Sequence, residues 1–167
     1  FPRNMGQVPI YYNHKNTGRP LKGEWFEKFR SNYIDVPNTP QYAFGYGLSY
    51  TTFEYSDVKL SSNTMGQHEV IKASVNVTNT GSVEGKEVVQ LYIRDVVGSS
   101  TRPVKELKGF EKISLKPGET KTVTFDITPE MLKFYNFDMD FVAEPGEFYV
   151  MIGGNSVDTN MANFTLK

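Results

Sequence analysis

The sequence predicts an all-β domain: an antiparallel sandwich of about seven strands, preceded by an irregular N-terminal extension. Three observations carry this. From Phe53 to the C-terminus apolar and polar residues alternate, which places every second side chain on one face of a strand. Turn sequences containing Pro or Gly punctuate that stretch about every 8–12 residues, the rhythm of an immunoglobulin-like sandwich. Upstream, Pro2, Pro9, Pro20, Pro37 and Pro40 exclude any long helix.

The extension holds 13 of the 23 aromatics within residues 1–55. Among them are Tyr11, Tyr12, Trp25, Phe26, Phe29, Tyr33, Tyr42, Phe44 and Tyr46, set among polar and turn-forming residues. Each such ring buries ~150–250 Å² when covered, so the segment lies against another surface, either the sandwich or a domain outside this chain. Its one helical stretch is Glu24–Arg30. Gly45-Tyr46-Gly47 lacks the third Gly and the Lys-Ser/Thr pair of a phosphate cradle, and reads as a hinge or tight turn.

Within the sandwich the apolar phase moves from Phe53 and Tyr55 to Val58 and Leu60, which predicts a bulge near Ser56-Asp57. Strands are expected at Val70–Asn79, with Ile71, Ala73, Val75 and Val77 inward, and at Glu87–Asp95, with Val89, Leu91 and Ile93 inward. Pro103 has no N–H for a ladder, which makes Val104–Ile113 an edge or crossing strand. Lys116-Pro117-Gly118-Glu119 is a turn, followed by Thr120–Thr128 with Val123, Phe125 and Ile127 inward. Thr128-Pro129-Glu130-Met131 fits one helical turn, with Thr as cap and Pro at the first position. Glu144-Pro145-Gly146-Glu147 turns into Gly146–Gly153, and Asn163–Lys167 closes the sandwich with Phe164 and Leu166 inward.

Composition removes several classes of function. With 167 residues the chain is too short for a barrel enzyme of ~250 residues. A net charge of −1 gives no electrostatic footprint for nucleic acid. No apolar run approaches the ~18 residues of a membrane span. The absence of Cys removes disulfides and thiol chemistry. The average hides a split. Residues 1–50 carry six Lys/Arg against three Asp/Glu, and residues 51–167 twelve against sixteen, giving +3 beside −4.

Candidate chemistry is sparse. His14 and His68 have no neighbouring ligand pattern and read as loop histidines. Asp138-Met139-Asp140 lacks the remaining ligands and central Gly of a calcium loop and reads as a polar hairpin tip. Glu84, Glu87, Glu106, Glu111, Glu119, Glu130, Glu144 and Glu147 occupy turns or the polar phase of strands. No spacing among them selects the carboxylate pair that glycosidic chemistry needs. The sequons at Asn76 and Asn163 fall inside strands and read as chance matches. Trp25, Phe26 and Tyr33 fit a carbohydrate platform, with packing against a neighbouring domain the favoured reading.

Several strings are more specific. Phe1-Pro2-Arg3 with Gly6-Gln7-Val8-Pro9-Ile10-Tyr11-Tyr12-Asn13-His14, then Asn16-Thr17-Gly18-Arg19-Pro20, resembles the end of the second catalytic domain of family 3 glycoside hydrolases. Phe44-Gly45-Tyr46-Gly47-Leu48-Ser49-Tyr50-Thr51-Thr52-Phe53 resembles the junction into that family's fibronectin type III-like domain. Arg102-Pro103-Val104-Lys105-Glu106-Leu107-Lys108-Gly109-Phe110-Glu111-Lys112 and Leu115-Lys116-Pro117-Gly118-Glu119-Thr120 resemble the domain's interior. The likeness spans nearly the whole chain and is nearest to bacterial periplasmic β-glucosidases.

The resemblance implies a parent that hydrolyses β-glucosides with retention. Its Asp nucleophile lies on a TIM-like barrel and its acid/base carboxylate on an α/β sandwich domain, both upstream of Phe1. Ser56-Asp57 is similar to the nucleophile's Ser-Asp motif but precedes Val58 rather than an aromatic, so no catalytic residue carries over. No cofactor or metal is implied, and the fragment is expected to be inactive. Residues 1–14 would be the edge of the α/β domain, 15–47 a linker on neighbouring domains, and 48–167 the fibronectin type III-like sandwich. Partners would be those catalytic domains, with β-glucosides met by the parent only, in the periplasm or outside the cell. An isolated fragment would expose apolar area around Trp25, Phe26 and Tyr33, which leaves room for a homodimer. A carbohydrate-binding module and an adhesion domain using strand edges are the competing readings.

Overall fold

The computed structural model describes residues 1–16 and 32–167. Its elements in chain order are a 3-10 turn at Met5–Gln7, then β1 (Phe53–Tyr55), β2 (Lys59–Leu60), β3 (Thr64–Met65), β4 (Ile71–Asn79), β5 (Gly85–Asp95), β6 (Glu106–Leu115) and β7 (Thr120–Ile127). There follow α1 (Pro129–Leu132), β8 (Phe134–Tyr135), β9 (Phe141–Val142), β10 (Gly146–Gly153) and β11 (Thr159–Leu166). One sheet has β4 at its centre, with β7 along one side and β1 and β2 end to end along the other. The second runs β3-β11-β10-β5-β6, antiparallel except for β3 beside β11. Counting β1 and β2 as one interrupted strand, β1/β2, β4, β5, β6, β7, β10 and β11 are the seven strands of the sandwich, and the Glu24–Arg30 stretch lies outside the described residues.

The two sheets share one apolar layer. Ile71, Ala73, Val75 and Val77 from β4 and Val123 and Ile127 from β7 meet Val89, Leu91 and Ile93 from β5 and Phe148, Val150 and Ile152 from β10. Phe148 stacks on Phe164 at 5.4 Å between centroids. This is the alternation read from sequence, and burying each such side chain contributes ~1.5–3 kcal/mol.

Punctuation is where the local chemistry shows. Between Tyr55↔Val77 and Lys59↔Ser74 the first strand advances four residues while β4 advances three, which is the bulge at Ser56-Asp57. Gly118 takes φ +73 in the turn closed by Glu119 N–H donating to Lys116 O at 2.9 Å, a conformation that favours Gly. Buried Asn79 ends β4 with its amide fully used. Its Oδ1 accepts from Thr51 Oγ1 and Gly81 N, and its Nδ2 donates to Val83 O and Leu115 O.

Three expectations are corrected in detail. The edge strand is β6, starting at Glu106 rather than Val104, because Pro103 and Val104 turn instead to residues 14–15. The last strand begins at Thr159, not Asn163. Asn160 occupies an inward position there and donates from Nδ2 to Tyr55 O and Ser56 O across the sandwich, so apolar alternation is absent from a residue pair that is nevertheless strand. Thr128 precedes α1 without a side-chain capping bond, although Pro129 stands at the first helical position.

Candidate functional site

The face that differs most from an ordinary sandwich is the outer side of β5. Gln90 and Tyr92 should point to solvent on that face, yet both are buried. Residues 12 and 44–45 cover them. The Gln90 side chain donates from Nε2 to Gly45 O at 3.1 Å and Gly154 O at 2.6 Å, and its Oε1 accepts from Tyr92 Oη. Tyr12 stands edge-on to Tyr92 at 5.8 Å and stacks on Phe44 at 4.1 Å. Burial, with the Tyr12 phenol adding to it, holds the Tyr92 hydroxyl protonated far above its ordinary range. Ser156 N–H donates to Phe44 O at 2.9 Å, and Lys105 Nζ donates to Ser156 O.

Gly45 sits in this contact with φ +81, and a Cβ there would overlap Gln90 Oε1 and lie 2.8 Å from Gln90 Cδ. The Gly-Tyr-Gly string thus holds a tight turn, closed by Tyr46 N–H on Ala43 O at 3.1 Å, whose Gly45 seats the backbone closely on the sheet. A second attachment lies beside it. Lys15 bridges to Pro103, Val104 N–H donates to His14 O at 2.9 Å, Lys15 Nζ donates to Thr101 O, and Leu107 N–H donates to Tyr12 Oη.

The loop that receives residues 12–15 is held from below by charge. Arg102 lies 3.9 Å above the buried Phe134 ring, 3.4 Å from Asp95 Oδ2 through Nε, and 3.2 Å from Glu106 Oε2. The Nε–Oδ2 approach is an ion pair without hydrogen-bond alignment, and neither atom has another hydrogen-bond partner among the described residues. Burial raises the Asp95 pKa and Arg102 pulls it back only in part. Nearby, the Ser99 hydroxyl and then the Ser99 N–H, which donates to Glu144 Oε2 at 2.8 Å, lower the Glu144 pKa.

Residues 1–8 and 33–42 form a polar knot. Buried Gln7 accepts from Arg3 N–H through Oε1 and donates from Nε2 to Pro37 O and Thr39 O. Arg3 reaches Thr39 and Gln41. Tyr33 belongs to this knot, donating from Oη to Gln7 O at 3.0 Å, so its hydroxyl is already engaged inside the chain. Trp25 and Phe26, the other members of the expected platform, lie outside the described residues. Among the described residues an aromatic groove runs along Tyr42, Phe44 and Tyr46, with a volume of about 970 Å³.

The remaining candidates fall into place individually. Asp138 and Asp140 flank Met139, at φ +67, in the tip of the β8–β9 hairpin, closed by Asp140 N–H on Asn136 Oδ1 and Asn136 N–H on Asp140 O. Among the described residues no three His, Asp or Glu side chains converge as a metal site. His68 is exposed in the turn before β4, and no helix among the described residues is long and apolar enough to cross a membrane. Asn76 and Asn163 point outward and bond Thr122 Oγ1 and Glu147 Oε1.

Glu87 is half-buried rather than a solvated surface carboxylate. It accepts from Tyr55 Oη at 2.7 Å, and burial raises its pKa against the lowering effect of that bond. The folded state thus holds this proton more tightly than an unfolded Glu at ~4.3. Stability is fullest below ~4.3 and falls as pH rises through the folded pKa. Glu87→Gln keeps an acceptor for Tyr55 and removes the charge. Its melting temperature relative to the parent sequence is expected to rise as pH increases through the folded Glu87 pKa and then to level off, and parallel profiles would show that Glu87 carries no such penalty.

Residues 87–156 match the fibronectin type III-like domain. The chain is 57% identical to the periplasmic β-glucosidase of Salmonella typhimurium over 99% of its own length and 22% of the relative's. It is 42% identical to a β-xylosidase of Formosa agariphila over 99% of its length and 22% of the relative's. The crystal structure of β-glucosidase from Listeria innocua in complex with glucose superposes with a TM-score of 0.91 at 44% identity, covering 99% of this chain and 23% of that one. The chain thus spans about a fifth of the length of the relatives it matches.

Proposed function

Starting from a chain that contains the fibronectin type III-like domain and is similar, almost end to end, to about a fifth of family 3 β-glucosidases, we propose that it is the non-catalytic accessory part that braces the catalytic domains of such an enzyme. The observation that carries this is the double seat of residues 12–15 and 44–46 on β5 and the 101–107 loop. A stretch resembling the end of a catalytic domain is thereby fixed rigidly to the sandwich. Residues 1–14 act as the edge of the α/β domain, 15–47 as the connecting segment and 48–167 as the brace.

In the parent, an Asp on the barrel attacks the anomeric carbon while a second carboxyl protonates the leaving oxygen, and water then releases the sugar. None of these groups is assigned to this chain. Asp95 and Glu106 are each paired with Arg102, so neither stands open to a substrate. The shared segment in a β-xylosidase and a β-glucosidase supports the view that sugar choice is made elsewhere. The periplasmic relative supports a periplasmic or secreted parent.

The test has two arms. The purified 167-residue chain is expected to give no turnover of an aryl β-glucoside, and deletion of residues 48–167 from the parent is expected to lower its melting temperature or solubility. Turnover by the fragment, or an unchanged parent after deletion, would overturn the bracing role.

A further inference from the structure

We propose, resting on the bracing role, that the aromatic groove is the seat of one occupant: the stretch of the parent's catalytic part that leads into Phe1. Tyr11, Tyr42, Phe44, Tyr46, Leu48 and Val157 line it, each between 45% and 90% exposed. A contiguous apolar concavity of this kind marks an interaction surface. Its floor is preformed, because Phe44 and Gly45 are hydrogen-bonded to Ser156 and Gln90. Little ordering entropy is then lost on docking.

The position of Phe1 identifies the occupant. Its ring stands edge-on to Tyr42 at 6.5 Å, its nitrogen donates to Tyr42 O at 2.8 Å, and Gln41 N–H donates to Phe1 O at 2.9 Å. Phe1 itself lines the groove, so backbone leading into it departs from the groove's rim. About four-fifths of the relatives' length lies outside the match, so a parent of their size has chain enough for such a stretch. The occupant presents apolar side chains to the rings.

Leu48→Glu and Val157→Glu place charge on side chains that are 90% and 55% exposed, and Thr124→Glu on the outer face of β7 is the control. The groove variants are expected to lower the melting temperature of the parent by roughly 3–6 °C while leaving the 167-residue chain unchanged, with the control silent in both. An equal shift in parent and isolated chain, or none in the parent, overturns the inference. Two further outcomes overturn it by naming another occupant: self-association of the isolated chain abolished by these variants (a second copy), and binding heat with cellobiose abolished by them (a sugar). If deletion of residues 48–167 destabilises the parent while the groove variants do not, bracing stands and the groove assignment falls. If deletion has no effect, bracing itself falls.

Discussion

Replacing Arg102 by alanine is expected to lower the unfolding free energy by about 3–5 kcal/mol, the cost of breaking a buried ion pair by removing one partner. The side chain is 13% exposed and Asp95's is 6%, so solvent cannot rescue the abandoned carboxylate. Loss of the cation over Phe134 adds to this. With the cation gone, the Asp95 pKa rises further above that of an unfolded Asp, and the penalty is carried only by the ionised form. The loss is therefore larger at pH 8 than at pH 4, where Asp95 gains its proton. Arg102→Lys keeps a charge but not the planar contact with Phe134 and the two carboxylates, and recovers part of the stability. Urea melts of these variants at both pH values check the prediction. A loss below ~1 kcal/mol would place the pair among exposed salt bridges.

Gly45→Ala is expected to detach the N-terminal strip while leaving the sandwich folded. A non-Gly residue at φ +81 costs ~1–2 kcal/mol. The new Cβ overlaps Gln90 Oε1, and moving that amide leaves Gly154 O and Tyr92 Oη without their partner, at ~1–3 kcal/mol for a buried polar group. Hydrogen exchange is expected to quicken at Ser156, whose amide bonds Phe44 O, and protease cleavage to appear within residues 40–48. The inner strands β4 and β10 keep their protection, because the core contains no strip residue. Gly47→Ala is the matched control. No atom lies within 4 Å of its Cβ position, and its effect is expected to stay within ~0.5 kcal/mol. Equal effects at the two glycines would sink the account of the seat.

The glycine pair shows where sequence reading stops. Gly45 and Gly47 are equivalent as letters, and only the proximity of Gln90, far away in the chain, separates a required Gly from a replaceable one. Gln90 and Tyr92 themselves alternate correctly with Val89, Leu91 and Ile93, so they read as solvent-facing. They are buried because a segment distant in sequence lies on them. Glu87 and Asp95 are a different case: they continue the inward phase of Val89, Leu91 and Ile93 at the two ends of β5, and their burial is completed by Tyr55 and by the loop that carries Arg102. The one legible signal for the receiving loop was the string around Arg102-Pro103, through its resemblance rather than its chemistry.

What the amino-acid sequence determined alone is the sandwich: period-two alternation, the bulge at Ser56-Asp57, the Pro-Gly turn at 117–118 and the edge position after Pro103 follow from strand geometry and backbone sterics. These are properties of neighbouring residues, which a linear string records. The tertiary structure alone decided which surface the aromatic strip covers, which Gly is obligatory and where Arg102 lies. Each depends on contacts between segments tens of residues apart, and burial and close approach at such contacts are set by how the sheets and loops fold together.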